Sequence, residues 1–517
     1  MKTRIFAALL LAVVLGMQAK ERWLHDVDAQ GGEKLSAWSA PQSWGGTLSK
    51  VNDGYDGKSS PELRATKVKN RFLGRAYRGL SGSTPAWGRK FEYTILARGK
   101  GEFQLGMVAF GARDAAASYN NLMPLEEKFT LFPEQWLECK VTMINTDAPL
   151  WRFAVLVSIH GEDSYVQLGP DKLQWFEPQY PIKAVPSHVI TFPGNSPEIT
   201  FHAPEKIDVL QAFDGITRKV LSGKNGVFQL QVADGIAPLG EKDPGTWIAG
   251  TGRVGVWNPV DGAAADVFIS RVSRQEWEEV SKMAAKIKLQ KPMRILYLGD
   301  SLSDYDRGRN YTDKVNYWLN LHNPGMASFR NAGVGGDTIA SLYNRLSGGK
   351  DTWRNYMYAD LFEEAYDLIF IFLGHNDTRR HFRPDGTSYQ PVEPDKQRQF
   401  LTATLEFLRA KTSARMILIT PSSSDYQQCL SAAEPAKQKG LPYVVFGIPE
   451  RLESYIEVMR EIAPRFNAEL LDLYSPMKNL PEKANCFTKP DGVHLSAIGN
   501  HFIAAQIIAY LSQGMLQ

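Results

Sequence analysis

The chain has 517 residues, 43% hydrophobic and 22% charged, with 59 Lys and Arg against 56 Asp and Glu. That length exceeds what one hydrophobic core serves and calls for about two to four domains. A net charge of +3, with no long basic run, leaves no electrostatic footprint for nucleic acid. Lys2 and Arg4 precede an apolar run from Ile5 to Leu15, then Gly16-Met17-Gln18-Ala19 and a polar chain. About a dozen apolar residues fall short of the roughly 20 that span a bilayer. Residues 1–19 therefore read as a signal peptide cut near Ala19, although Met17 stands where a small residue is usual; the alternative is a buried first element. The expectation is a secreted or periplasmic protein without membrane insertion. No Cys near the cleavage point suggests a lipid anchor.

From about Lys20 to Arg271 the chain reads as strands and turns. Phe91–Ile95, Glu102–Leu105, Phe153–Ile159, Tyr165–Leu168 and Val227–Val232 are short, β-favouring runs punctuated by Gly, Pro, Asn and Asp. No amphipathic helix interrupts them, which predicts all-β sandwich modules. A break near Trp175–Pro181 divides residues 20–176 from 177–273, with one larger sandwich as the alternative. The first module, ending in Ser164–Gly169, faintly resembles a carbohydrate-binding jelly roll. The second, closing with Gly252–Val256 and Asp266–Val272, is weakly similar to concanavalin-like or laminin-G-like sandwiches. Trp38, Trp44, Trp87, Trp151, Trp175, Trp247 and Trp257 fall here. Each fills a core, or stacks on a sugar if exposed; for any single one the core is the expectation.

Trp277, Val280, Ala284 and Ile287 share one face of a helix over Arg274–Leu289, read as a packed connector spanning 274–291. After Pro292 apolar runs at Arg294–Leu298, Ser328–Asn331, Leu368–Leu373, Met416–Thr420 and Leu470–Tyr474 alternate with helical stretches. The helices are predicted at Thr312–Leu321, Thr338–Leu346, Gln397–Lys411, Pro449–Ile462 and Ser496–Leu511. Apolar strands separated by helices predict a three-layer α/β domain over 292–517 with a parallel sheet, whose sites lie at the strands' carboxyl ends.

Four blocks fall just after those strands or before a helix: Gly299-Asp300-Ser301-Leu302, Gly335-Gly336-Asp337, Gly374-His375-Asn376-Asp377 and Asp491-Gly492-Val493-His494. They offer a serine nucleophile, a backbone amide on glycine, an asparagine amide, and an Asp and His three residues apart. Those are the parts of a serine acyl hydrolase. Ser301 is the expected nucleophile and His494 its base, with Asp491 reaching the imidazole Nδ1–H from a tight turn. The blocks and their order resemble the SGNH (GDSL) hydrolase family over roughly Met293 to Gln517. That resemblance implies the oxyanion donors: the N–H of Ser301, the N–H of Gly336 and the side-chain amide of Asn376, with Gly333 or Gly335 as substitutes under another register. Asp300 and Asp377 are expected to shape turns. The Gly-His-Asn-Asp form is similar to rhamnogalacturonan acetylesterases and related acetylesterases of the family, which implies acetylated polysaccharide as substrate. His375, Arg379 and Arg380 are then candidate substrate contacts, the bland reading of Thr378–Arg383 being a solvated loop. Asp304, Asp306, Arg307 and Arg309 invite the same two readings.

The reaction needs no cofactor, and no Cys or His pair has zinc-ligand spacing. Cys139 alternates onto the apolar face of a strand and should be a buried thiol, while Cys429 and Cys486 leave a bridge across the site rim open. The whole predicts an exported serine esterase removing acyl, chiefly acetyl, groups from a polysaccharide. The alternatives are a lipase, a thioesterase, a peptidoglycan O-acetyl esterase or transferase, and a non-catalytic glycan-binding surface protein. Oligomeric state is open at this level.

Overall fold

The computed structural model describes residues 33–40, 45–80, 90–110, 127–144, 152–176, 182–234, 251–258, 263–304, 309–349, 357–358, 360–489 and 491–513. The signal-peptide reading, Trp44, Trp87, Trp151, Trp247, Asp306 and Arg307 lie outside them. Two compact units divide the chain: 1–185 with 200–230 and 255–266, and 186–199 with 231–254 and 267–517.

The first unit is built on an eight-stranded sheet. Phe91–Ile95 and Glu102–Leu105 belong to one strand, Lys90–Phe110, and Phe153–Ile159 and Tyr165–Leu168 to another, Arg152–Phe176. These two pair antiparallel along nearly their whole length. The intervening glycines look like turns in the sequence, yet the ladder continues with register shifts between Ile95 and Ala97 and between Lys100 and Glu102. Gly101, at φ 116°, sits in the second shift. Bulges of this kind bend a strand without ending it. Tyr93, Ile95, Phe103, Leu105, Val155, Val157 and Ile159 alternate into the core, which Trp38 joins. In the same unit Val209–Phe213 pairs antiparallel with Arg218–Ser222 and with residues 255–257. Trp257 is buried there. Trp38 and Trp257 are thus core side chains, unavailable for stacking on a sugar.

The second unit opens with His188–Thr191, parallel to residues 268–271. The helix Arg274–Ala284 follows, started by a capping box between Ser273 and Glu276. It ends before the predicted Leu289, and it is packed: the Trp277 indole N–H donates to the Ile190 carbonyl at 2.8 Å, and the Tyr317 hydroxyl donates to the same oxygen at 3.0 Å. Beyond it lies a five-stranded sheet in the order Ala327–Asn331, Met293–Gly299, Leu368–Phe372, Arg415–Ile419, Glu469–Leu471. Every pairing is parallel. All of Leu368–Phe372 is buried, as a central strand covered on both faces requires.

The helices Tyr311–His322, Ile339–Leu346, Pro394–Lys411, Pro449–Ile462 and Ala497–Leu511 fall within a few residues of their predicted spans. A further helix, Tyr426–Gln438, escapes the apolar period because it buries only Cys429 and Ala433 and carries Pro435. The three-stranded sheet of Ser388–Tyr389, Arg380–Phe382 and Tyr443–Val445 is also unforeseen, its strands being two or three residues long. All three cysteines are buried free thiols. Cys429 sits in the first turns of its helix and Cys486 ends a separate 3₁₀ turn, and no bridge joins them. No helix among the described residues is long and apolar enough to cross a membrane.

Arg78 and Asp171 form a buried ion pair in the first unit, and the Tyr93 hydroxyl donates to the same carboxylate at 2.6 Å. Burial pushes the Tyr93 hydroxyl well above the usual tyrosine range, although the Arg78 charge opposes it. Removing one partner strands the other charge in a dry core. Arg78→Met should therefore cost about 3–5 kcal/mol, read as a lower urea midpoint of the first unit's transition. A loss under about 1 kcal/mol, the range of an exposed pair, would mean the charge is not desolvated.

Candidate active site

The site forms where the strand order of the parallel sheet reverses. Met293–Gly299 is flanked by Ala327–Asn331 on one side and Leu368–Phe372 on the other, so the loops after these three strands leave the same edge side by side. Such a switch point opens a crevice. Ser301 starts the short helix Ser301–Asp304, Gly336 lies in the turn before Ile339–Leu346, and Asn376 lies in the short helix His375–Thr378.

Ser301 and His494 meet across 193 residues, with Ser301 Oγ 2.9 Å from His494 Nε2. His494 Nδ1 lies 2.6 Å from Asp491 Oδ2. The other Asp491 oxygen accepts the amides of Val493 at 2.8 Å and His494 at 2.9 Å. Burial pushes the Asp491 carboxyl up, but the His494 ring and these two amides outweigh it and hold it below its usual range. An ionised Asp491 fixes the proton of His494 on Nδ1, leaving Nε2 to accept from the serine hydroxyl.

The three oxyanion candidates stand differently. The N–H groups of Ser301 and Gly336 have no acceptor among the described residues. Gly336 is exposed and has φ 87°, a left-handed conformation that glycine adopts without strain. The substitutes are engaged elsewhere, since Gly335 N–H donates to Asp304 Oδ2 at 2.9 Å and Gly333 N–H to Asn331 Oδ1 at 3.0 Å. Asn376 Nδ2 rests 3.4 Å from Asp300 Oδ2, a long contact, while its Oδ1 accepts from Arg379 Nη1 at 2.9 Å.

His375, a candidate substrate contact, is only 2% exposed. Its Nε2 is 3.1 Å from Ser422 Oγ, and burial, with help from the His494 charge, lowers it to about 4. The structure removes it from the rim: its short helix turns the ring inward against Ser422, and the burial that follows keeps it neutral. Arg379 is half-buried beside Asn376 and the Phe446 ring. Arg380 Nε donates to Ser388 Oγ at 2.7 Å. Asp304, for which the sequence left a rim contact and a solvated loop open, is neither: it is buried and holds the Gly335 turn. Among the described residues no cluster of His, Cys, Asp and Glu is arranged to hold a metal ion.

Buried carboxyls tie the blocks together. Asp300 Oδ1 accepts Leu302 N–H at 3.0 Å, and Asp377 Oδ1 accepts Ile339 N–H at 2.9 Å. Asp337 makes a bidentate pair with Arg345, Oδ2 to Nε at 2.7 Å and Oδ1 to Nη2 at 3.0 Å. Sequence reasoning missed Arg345 and the Arg379–Asn376 bond. The one-turn spacing of Arg379 after Asn376 was the available signal.

A serine bonded to an imidazole that meets a carboxylate, at the carboxyl edge of a parallel sheet, is the site of a serine-type acyl hydrolase. Residues 297–502 match the model of the GDSL-like lipase/acylhydrolase family, and this part of the chain is a GDSL/SGNH hydrolase domain, of the esterase and lipase type. Similar solved structures include the lipase/acylhydrolase from Enterococcus faecalis, 23% identical, covering 43% of this chain and 95% of its own, with a TM-score of 0.31. AlinE4, an SGNH-hydrolase family esterase, is 21% identical and covers 44% of this chain and 99% of its own, with a TM-score of 0.26. No curated protein matches the chain.

Burial pushes Asp377 up to about 8, with the Asp300 charge adding to it, and pushes Asp300 up to about 7. A proton held by the folded chain but not the unfolded one stabilises below the ordinary carboxyl range and is lost as pH rises through the folded value. His375 acts oppositely, its contribution present above 6.5 and lost as pH falls towards about 4. Wild type should therefore lose melting temperature as pH rises from about 4 to about 8, most steeply just above 6.5 where His375 no longer offsets the loss, and Asp377→Asn, neutral throughout, should lose less. An identical slope in both proteins would show that Asp377 does not carry that proton.

Proposed function

We propose that the protein is an exported serine esterase that removes O-acyl groups, chiefly acetyl, from a polysaccharide. The observation that carries the chemistry is the 2.9 Å contact of Ser301 Oγ with His494 Nε2, backed by Asp491. Ser301 Oγ attacks the ester carbonyl as its proton passes to His494 Nε2. The oxyanion of the tetrahedral intermediate is held by the N–H of Ser301, the N–H of Gly336 and Asn376 Nδ2. Collapse breaks the bond to the sugar oxygen, which takes the proton from His494 and leaves as a hydroxyl. Water, deprotonated by His494, then attacks the acyl-enzyme, and His494 returns that proton to Ser301 Oγ as the acid leaves.

The polysaccharide reading rests on the amino-terminal apolar run, the β-rich first unit and the Gly-His-Asn-Asp form. An aromatic hairpin following Asn376 adds to it. His381 stacks on Tyr389 and Phe382 on Tyr443, each pair with ring centroids 4.7 Å apart, and Tyr389 is 46% exposed. An exposed ring such as Tyr389 suits a sugar face better than it suits an acyl tail, which favours longer apolar walls.

Acetate release from acetylated xylan, pectin, rhamnogalacturonan and peptidoglycan, compared between wild type and Ser301→Ala, tests both parts. Release from a plant-type glycan that disappears in the variant is the expected result. Release from peptidoglycan alone would move the substrate to the cell wall, and turnover limited to long-chain esters would make the protein a lipase. Turnover unchanged in Ser301→Ala would remove the serine chemistry altogether. Asn376→Ala should lower kcat about 10²–10³-fold, the usual loss for one oxyanion donor.

A further inference from the structure

Asn376 can present its amide nitrogen to an oxyanion only if the side chain keeps one of two orientations that differ by a half-turn. Two neighbours set that orientation. Arg379, one helical turn on, donates through Nη1 to Asn376 Oδ1 at 2.9 Å. A guanidinium has donors and no acceptor, so the atom facing it must be the amide oxygen. The opposite atom, Nδ2, then faces Asp300 Oδ2 at 3.4 Å, too long for a strong bond and thus readily exchanged for an incoming oxyanion. Arg379 is itself held by local structure: its guanidinium lies 5.7 Å from the centre of the Phe446 ring. The strand Arg380–Phe382 begins at the next residue and fixes the backbone just after it.

From this geometry we infer that Arg379 is a positioning residue, locking the Asn376 amide with Nδ2 aimed at the oxyanion. It rests on the esterase reading above and adds a residue to it. Without Arg379 the amide keeps only the 3.4 Å tether to Asp300 and samples the flipped state, in which its carbonyl oxygen would face, and repel, the developing negative charge.

The test is a double-variant cycle with p-nitrophenyl acetate as probe. Arg379→Met should lower kcat about 10–100-fold, part of the loss for a missing oxyanion donor, with KM changed less than about twofold, because the amide acts on the transition state more than on bound ester. Arg379→Lys, which retains a donor, should recover part of that loss. In an Asn376→Ala background, Arg379→Met should cost no more than about twofold, since nothing is left to orient. A thermal melt of each variant checks folding, and Arg379→Lys keeps the test open if the methionine variant does not fold.

A full additional loss on top of Asn376→Ala would overturn the inference, as would a change confined to KM, which would make Arg379 a substrate contact. Wild-type kcat in both Arg379 variants would overturn it too. These failures are distinct from failure of the esterase reading, in which Ser301→Ala itself keeps its turnover.

Discussion

The contact between Ser301 Oγ and His494 Nε2 joins atoms 193 residues apart, and the architecture of the second unit is what permits it. Neither side chain has a local reason to point at the other. Ser301 is delivered by the end of the Met293–Gly299 strand, and His494 by the loop that precedes the Ala497–Leu511 helix. That helix is fixed at its start by Ser496, which caps it by accepting the Gly499 N–H, and by Asn500, whose Oδ1 accepts the Tyr311 N–H at 2.9 Å. A shift of about one ångström at either end would break the bond, which is why the supporting packing matters to the chemistry.

The loops around this contact are fastened by acidic side chains rather than by apolar packing alone. Asp304 holds the Gly335 amide, Asp377 the Ile339 amide, Asp300 the Leu302 amide, and Asp337 the Arg345 guanidinium. Carboxyl oxygens are suited to this because a turn exposes N–H groups that no strand or helix satisfies. Gathering several carboxyls in a dry region has a cost in charge, and here it is met in two ways. Asp337 has a cation, although burial still leaves it above its usual range, and Asp300 and Asp377 are displaced towards the protonated form by burial. The field near Ser301 is therefore less negative than a count of carboxylates suggests, which suits a site that must accommodate an oxyanion.

How much of this was legible in the sequence depended on the range of the cause. The strands of the parallel sheet showed as apolar runs because both of their faces are covered, and the four blocks showed because their residue types and order are specific. The fused 21- and 25-residue strands of the first unit were not legible, since a glycine in a bulge and a glycine in a turn look alike along the chain. Likewise, His375 looked like a rim residue from its motif, while the contact with Ser422 that buries it comes from a strand loop 47 residues away. Arg379 looked like part of a basic run, and only coordinates reveal that Asn376 takes its Nη1. Local chemistry could be read; the choice of partner across the fold could not.

The central claim is that Ser301 is a nucleophile activated by His494. Mass-spectrometric mapping of a fluorophosphonate adduct on the full chain tests it most directly. The account predicts one adduct, on the peptide containing Ser301, with labelling slowed at least about 10²-fold in His494→Ala, the lower range of general-base contributions. No adduct, an adduct on another serine such as Ser270 or Ser303, or equal labelling rates in the two proteins would contradict it.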